Sequence, residues 1–317
     1  MTMSKRKLFH HSIYPVLIPV LFFIGCNKAD LIQENVEPKN MSGEYLGQTP
    51  PGMTPTLFCP EVFTVEVHST AMFSPDGKEV YWKLMGGRQI FFMKMENNTW
   101  SAPKKVDFAL FWGTGDPALS PDGKTLYFTS FKSIKGMWTS KKESIWFVKR
   151  AGNGWSDPEP LNLKVNKYDL HWQHSVAANG NLYFSAENAL YNKDIYMAEF
   201  VDDGYADPVN LGNSVNGNNS EGCPYISPDE GYMIFDRHGG TIGHADLYIS
   251  FRNQDGSWGE AKNMGQRINS AGKNETCPFV TFDQKYFFFI RNDENGALRI
   301  YWVDAKIIEE LKPINLK

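Results

Sequence analysis

The sequence predicts an all-β chain folded as a single β-propeller of four-stranded blades, with five blades as the count. Three observations predict it. A short turn recurs five times between β-prone runs, an aromatic-led element follows most third runs, and the element missing from the last unit has a counterpart near the N-terminus. Internal repetition at this period is the signature of solenoids and propellers, and it decides the architecture before any single residue is weighed.

The turn is clearest in Ser74-Pro75-Asp76-Gly77-Lys78 and Ser120-Pro121-Asp122-Gly123-Lys124. It persists in Ser227-Pro228-Asp229-Glu230-Gly231 and is eroded in Ala177-Ala178-Asn179-Gly180 and Thr281-Phe282-Asp283-Gln284-Lys285. From Pro75 through Pro121, Ala178 and Pro228 to Phe282, successive copies lie 46, 57, 50 and 54 residues apart. Each interval holds four short strands and their loops. Proline fixes φ, the Asp side chain bonds its own backbone and Gly accepts positive φ, so the motif makes a tight hairpin.

An innermost run precedes each turn, such as Thr70-Ala71-Met72-Phe73 or Cys223-Pro224-Tyr225-Ile226. A second, aromatic run follows it, as in Val80-Tyr81-Trp82, Leu126-Tyr127-Phe128 and Tyr286-Phe287-Phe288-Phe289. A third includes Ile145-Trp146-Phe147 and Asp246-Leu247-Tyr248-Ile249. The fourth opens on Trp100, Trp155, Tyr205 or Trp258, and the fifth unit lacks it. Thr56-Leu57-Phe58-Cys59-Pro60 is the expected substitute, closing the ring and protecting its edges. A sixth blade is open only through the irregular insert at 131–143. Hydrophobic residues at 42% and aromatic ones at 14% supply the packed surface.

The first residues form an address. Lys5-Arg6-Lys7 precedes an apolar run, broken by Pro15 and Pro19, that ends in Phe23-Ile24-Gly25-Cys26. That layout is a secretory signal over residues 1–25, too short and Pro-broken for a membrane span. Gly-Cys at its end resembles the lipobox of bacterial lipoproteins, with Phe23 in place of the usual Leu. The resemblance implies lipidation at Cys26 and a lipid-anchored place in the bacterial cell envelope, at the outer membrane. Polar residues 26–48 are expected to form a flexible tether, leaving 49–317 as the propeller. Loss of residues 1–25 takes the net charge from −4 to −7. A chain so acidic lacks the basic face that a nucleic-acid partner requires.

The Ser-Pro-Asp-Gly-Lys turn with its aromatic following strand resembles the WD-like propeller repeat of the TolB family, from about residue 49 to the end. Tyr45-Leu46-Gly47-Gln48-Thr49-Pro50-Pro51-Gly52 is similar to the lead-in of bacterial envelope proteins of this type. The resemblance implies the fold and leaves the activity open, since its relatives include partner-binding proteins and domains attached to peptidases. No segment matches the N-terminal α/β domain of TolB.

Candidate site residues come from aligning the innermost runs. Six residues before the first turn residue stand His68, Thr114, His171, Glu221 and Glu275; two further on stand Thr70, Asp116, Gln173, Cys223 and Cys277. With a strand period of two, both sets face the central channel. His68, Asp116, His171, Trp172, Glu221 and Glu275 are therefore the ligand-binding candidates, and His174, one position out of phase, is expected against a neighbouring blade. Glu221 and Glu275, each separated by one residue from the Cys-Pro that follows it, fit better a repeated structural role tying adjacent blades together through backbone N–H groups.

Trp112, Phe131, Trp138 and Tyr191 are loop aromatics suited to a sugar ring or a protein partner. Neither Gly-x-Ser-x-Gly, a phosphate loop nor His-Glu-x-x-His occurs. No cofactor or metal is expected, since no ligand-spacing motif is present; a metal-dependent sensor would need His68 and His171. Three cysteines remain after Cys26, and Cys223 and Cys277, at equivalent places in adjacent blades, are expected to lie too far apart for a disulfide. The leading expectation is a binding or scaffolding module for an envelope protein or glycan, without catalysis. The alternative is a carbohydrate-active hydrolase or lyase using Asp116, Glu221 and Glu275, with carboxylate separation setting the stereochemistry.

Overall fold

The computed structural model describes residues 28–36, 41–108, 113–134, 143–168, 173–187, 192–202 and 204–316. Antiparallel sheets succeed one another along the chain as the five blades of a propeller. Blade one runs through Met72–Phe73, Glu79–Lys83, Ile90–Glu96 and Lys104–Lys105; blade two through Thr114–Leu119, Thr125–Ser130, Ser144–Ala151 and Glu159–Pro160. Blade three comprises His174–Val176, Leu182–Glu187, Lys193–Ala198 and Val209–Asn210, and blade four Glu221–Ile226, Tyr232–His238, Ala245–Phe251 and Lys262–Asn263. Blade five takes Glu275–Val280, Tyr286–Asn292 and Leu298–Asp304 from the C-terminal part and Thr56–Leu57 from the N-terminal part. Thr56 pairs with Trp302 and Leu57 with Tyr301, so the ring closes as the sequence predicts.

The repeated turn works by the chemistry of its residues. Ser74 Oγ donates to Asp76 Oδ1 at 2.6 Å, that oxygen accepts the Lys78 N–H, and Ser74 Oγ accepts the Glu79 N–H. Gly77 sits at φ +68°, which a side chain would resist. Ser120, Ser227 and Thr281 repeat the bonds with Asp122, Asp229 and Asp283. Partial burial works to raise these four carboxyls, but the hydrogen bonds win and hold each below its ordinary value.

Aromatic rings fill the space between blades. Trp82, Trp302, Tyr81, Tyr183, Phe58 and Phe63 are all buried to less than 2% exposure. Phe58 lies 5.0 Å from both Phe288 and Trp302 and 6.0 Å from Phe73, locking the closing strand between blades five and one. Polar ties join the blades as well. Arg150 of blade two pairs with Glu79 of blade one, and Glu230 of blade four accepts from Asn179, Asn181 and Tyr183 of blade three.

The expected tether is not free over its described residues. Lys28–Glu34 forms a short helix whose Glu34 pairs with Lys105 at 3.1 Å, and Gln33 Nε2 donates to the Val62 carbonyl. Met41 and Gly43 bond Trp100, and Tyr45 inserts against Phe73 and Tyr286. Polar composition predicts solvation of this stretch, but Tyr45 and Leu46 carry enough apolar surface to seat it on the propeller.

Candidate functional site

The innermost strands carry a backbone irregularity that alternation does not anticipate. Pairing register shifts between Gly115 and Ala118, Gly222 and Tyr225, and Thr276 and Phe279. The residues in these bulges, Asp116, Cys223 and Cys277, take φ of +46°, +48° and +52°, and each precedes a proline. A bulge breaks the period of two, so residues on either side need not share a face. That separates the two sets of candidates.

Glu221 and Glu275 are fully buried within their own blades rather than gathered with the other candidates. Glu221 Oε1 accepts from Arg237 Nε at 2.7 Å, while Arg237 also donates to the Val215 carbonyl and lies 4.3 Å over the Tyr248 ring. Glu275 accepts from Arg291 Nε at 2.7 Å, with Arg291 donating to the Ile268 carbonyl and lying 4.9 Å over Tyr301. Burial lifts the Glu221 carboxyl to about 7 despite its arginine, and raises Glu275 in the same direction. Arg237→Ala or Arg291→Ala, leaving a buried carboxylate unpaired, is expected to cost about 3 kcal/mol of stability, read by urea unfolding. A loss below 1 kcal/mol would show that the clamps are not structural.

The second set converges on the axis. Thr70, Asp116, Gln173, Cys223 and Cys277 are all buried. Gln173 Nε2 of blade three donates to the Pro278 carbonyl of blade five at 3.1 Å, and Cys277 Sγ lies 3.4 Å from the His68 carbonyl. The Cys223 and Cys277 sulfurs are 3.4 Å apart, which corrects the expected separation: the bulges turn both side chains toward one another.

From the first set, His68 joins this group. Its Nδ1–H donates to Asp116 Oδ1 at 3.1 Å, and Thr129 Oγ1 donates to Asp116 Oδ2 at 3.2 Å. The His68 side chain keeps 40% exposure while that of Asp116 keeps 2%, so the pair joins the interior to solvent. Lys83 Nζ donates to the Thr114 carbonyl nearby, and Glu143 interacts electrostatically with Asp116, His68 and Lys83. His174, as expected, faces a neighbouring blade, its ring against Tyr127.

These groups shift one another. The Asp116 charge lifts His68 to about 9 against the opposing effect of burial. Burial pushes Lys83 down to about 8 and, with help from Asp116, raises Glu143 to about 7. Burial also works to raise Asp116, but His68, His174 and Lys83 together hold it below the ordinary carboxylate value. His68 is raised from its unfolded value of about 6.5. Its contribution to stability is therefore full below about pH 6.5 and is lost as pH rises through about 9. Melting temperatures from pH 6 to 10 should fall across that window in the wild type and less in His68→Gln; equal slopes would contradict the pairing.

His171, Trp172, Trp112, Trp138, Tyr191 and Cys26 lie outside the described residues, and Phe131 is 61% exposed. Lys83 and Glu143 were not singled out by motif; the signal for Lys83 is a charge ending the otherwise aromatic run Val80-Tyr81-Trp82. No group of three or more His, Cys, Asp or Glu side chains among the described residues is arranged to hold a metal ion.

No family model matches the sequence, and no curated protein matches it. Solved structures do match. The putative TolB from Agrobacterium tumefaciens has a TM-score of 0.52 at 17% identity, over 75% of this chain and 77% of that one. The fold is that of a five-bladed β-propeller. The endo-arabinase from Bacteroides thetaiotaomicron matches as well, with a TM-score of 0.53 at 15% identity over 81% of this chain and 97% of that one. TolB from Acinetobacter baumannii matches at 13% identity and a TM-score of 0.44, over 74% and 53% of the two chains. At these identities the likeness is one of fold.

Proposed function

We propose that this chain is a binding module of the bacterial envelope, held to the membrane by lipid at Cys26, that receives a protein or glycan partner around His68. The TolB-like fold and the signal-like N-terminus support the location. The observation that carries the binding reading is the fate of the carboxylates. Glu221 and Glu275, two of the three acids a channel hydrolase would use, are clamped by Arg237 and Arg291. Asp116 is committed to His68 and Thr129. What remains toward solvent is the cationic edge of His68, a group suited to a carboxylate or hydroxyl of a partner.

A second reading, a carbohydrate hydrolase, has one observation in its favour. Asp116 is lowered while the interacting Glu143 is raised to about 7, the divergence that separates an acid from a base. The architecture shared with an endo-arabinase is compatible with it. A thermal-shift panel of envelope glycans and peptidoglycan fragments, with crosslinking in intact envelopes, tests the binding reading. A ligand at about 100 times its Kd adds about 2.7 kcal/mol of stability. A glycan hit or a specific crosslink through the His68 face supports it; neither, with glycan turnover lost in Glu143→Gln, replaces it with the hydrolase.

A further inference from the structure

We propose that Cys223 and Cys277 are a covalent modification site, oxidised to a disulfide that staples blade four to blade five at the propeller axis. The two residues occupy equivalent bulges of adjacent innermost strands, each at positive φ and each before a proline. Their sulfurs face one another at 3.4 Å, so a movement of little more than an ångström brings them to bonding distance. The third described cysteine, Cys59, is buried beside the closing strand and bonds through its backbone to Gln48, apart from the pair.

The step requires a disulfide oxidant from outside the chain, of the class of oxidised glutathione or a dithiol oxidase. One thiolate attacks the oxidant's disulfide and forms a mixed disulfide; the second displaces the remaining oxidant thiol. One protein S–S bond forms and one oxidant S–S bond breaks. The two thiol protons and two electrons end on the oxidant as two thiols.

Accessibility sets when this happens. Cys223 and Cys277 are only 7% and 6% exposed, and the contact with Cys277, together with burial, raises the Cys223 thiol well above its ordinary value. Few thiolates are then available in the closed ring. The bond is accordingly made as the chain folds, before blades one and five meet, and is shielded from reductants afterwards. It closes a loop of 54 residues, which constrains the unfolded chain.

The full chain tests this directly. It is unfolded and refolded in a glutathione redox buffer, acid-quenched, alkylated in denaturant and mapped by mass spectrometry without reduction. The expected result is a linked peptide pair carrying Cys223 and Cys277, 2 Da lighter than the two thiol peptides combined, with Cys59 alkylated. The melting temperature should fall by several degrees on full reduction, and Cys223→Ser should show no such reduction-dependent fall. Alkylation of both Cys223 and Cys277, or linkage of either to Cys59 or Cys26, overturns the proposal. Should refolding fail, the same mapping on chain exported to an oxidising compartment gives the same two outcomes. The assignment stands or falls independently of what the His68 face binds.

Discussion

Phe58→Ala is expected to lower the unfolding free energy by about 3–5 kcal/mol, the usual cost of deleting a fully buried aromatic side chain. The ring is 1% exposed and touches Phe63, Phe73, Phe288 and Trp302, so the cavity opens at the seam between the first and last blades. A second readout separates closure from general packing. The Phe58 N–H donates to the Ile300 carbonyl at 2.9 Å, and amide exchange along residues 56–58 should accelerate more than exchange in blade three. A loss below 1 kcal/mol with unchanged exchange would mean that the N-terminal strand decorates the ring without closing it.

Asp116→Ala carries the second large effect, about 3 kcal/mol. Removing one member of a buried charge pair ordinarily costs 3–5 kcal/mol. The lower end applies because His68 keeps 40% exposure and can turn to water. The deletion leaves Lys83 and His68 without their shared carboxylate and strips Thr129 of its acceptor. Asp116→Asn keeps the Thr129 bond but not the charge, so it should cost less. In either variant the His68 titration followed by NMR should fall from about 9 toward about 6.5. A His68 midpoint unchanged in Asp116→Asn would show that another group supplies the field.

The fold was legible because it repeats. Five Ser-Pro-Asp-Gly-type turns, the aromatic second strands and the displaced fourth strand at Thr56–Leu57 all appear in the structure where the alignment places them. The site was half legible, for a specific physical reason. Alternation places Glu221 and Cys223 on one face, but a bulge at a positive-φ residue cancels alternation where the strands reach the axis. Cys-Pro and Asp-Pro at equivalent positions are the sequence trace of that bulge, readable only once its geometry is known. The arginine clamps were hidden for another reason. Glu221 and Arg237 are 16 residues apart and meet through strand pairing, which no local motif announces.

A further repeat links the blade connections to the third strands. Asn166, Asn216 and Asn269, each following Val or Ile, clasp the backbones of Ile145, Ile195 and Leu247 in the third strands. Residues 28–36 and 41–47 depart from their polar composition because a few buried side chains outweigh it. Tyr45 alone contacts four aromatic rings.

The central claim is that partner recognition runs through His68 while Glu221 and Glu275 serve the fold. The decisive measurement is calorimetric titration of one panel ligand, or one crosslinked partner, into wild type, His68→Gln, Glu221→Gln and Glu275→Gln, with product formation followed in parallel. The account predicts binding weakened at least tenfold in His68→Gln, affinity within about twofold of wild type in Glu221→Gln and Glu275→Gln, and no product. A tenfold is about 1.4 kcal/mol, in the range of one charged hydrogen bond. Product release abolished by Glu221→Gln or Glu275→Gln in folded protein, with binding intact in His68→Gln, would contradict it.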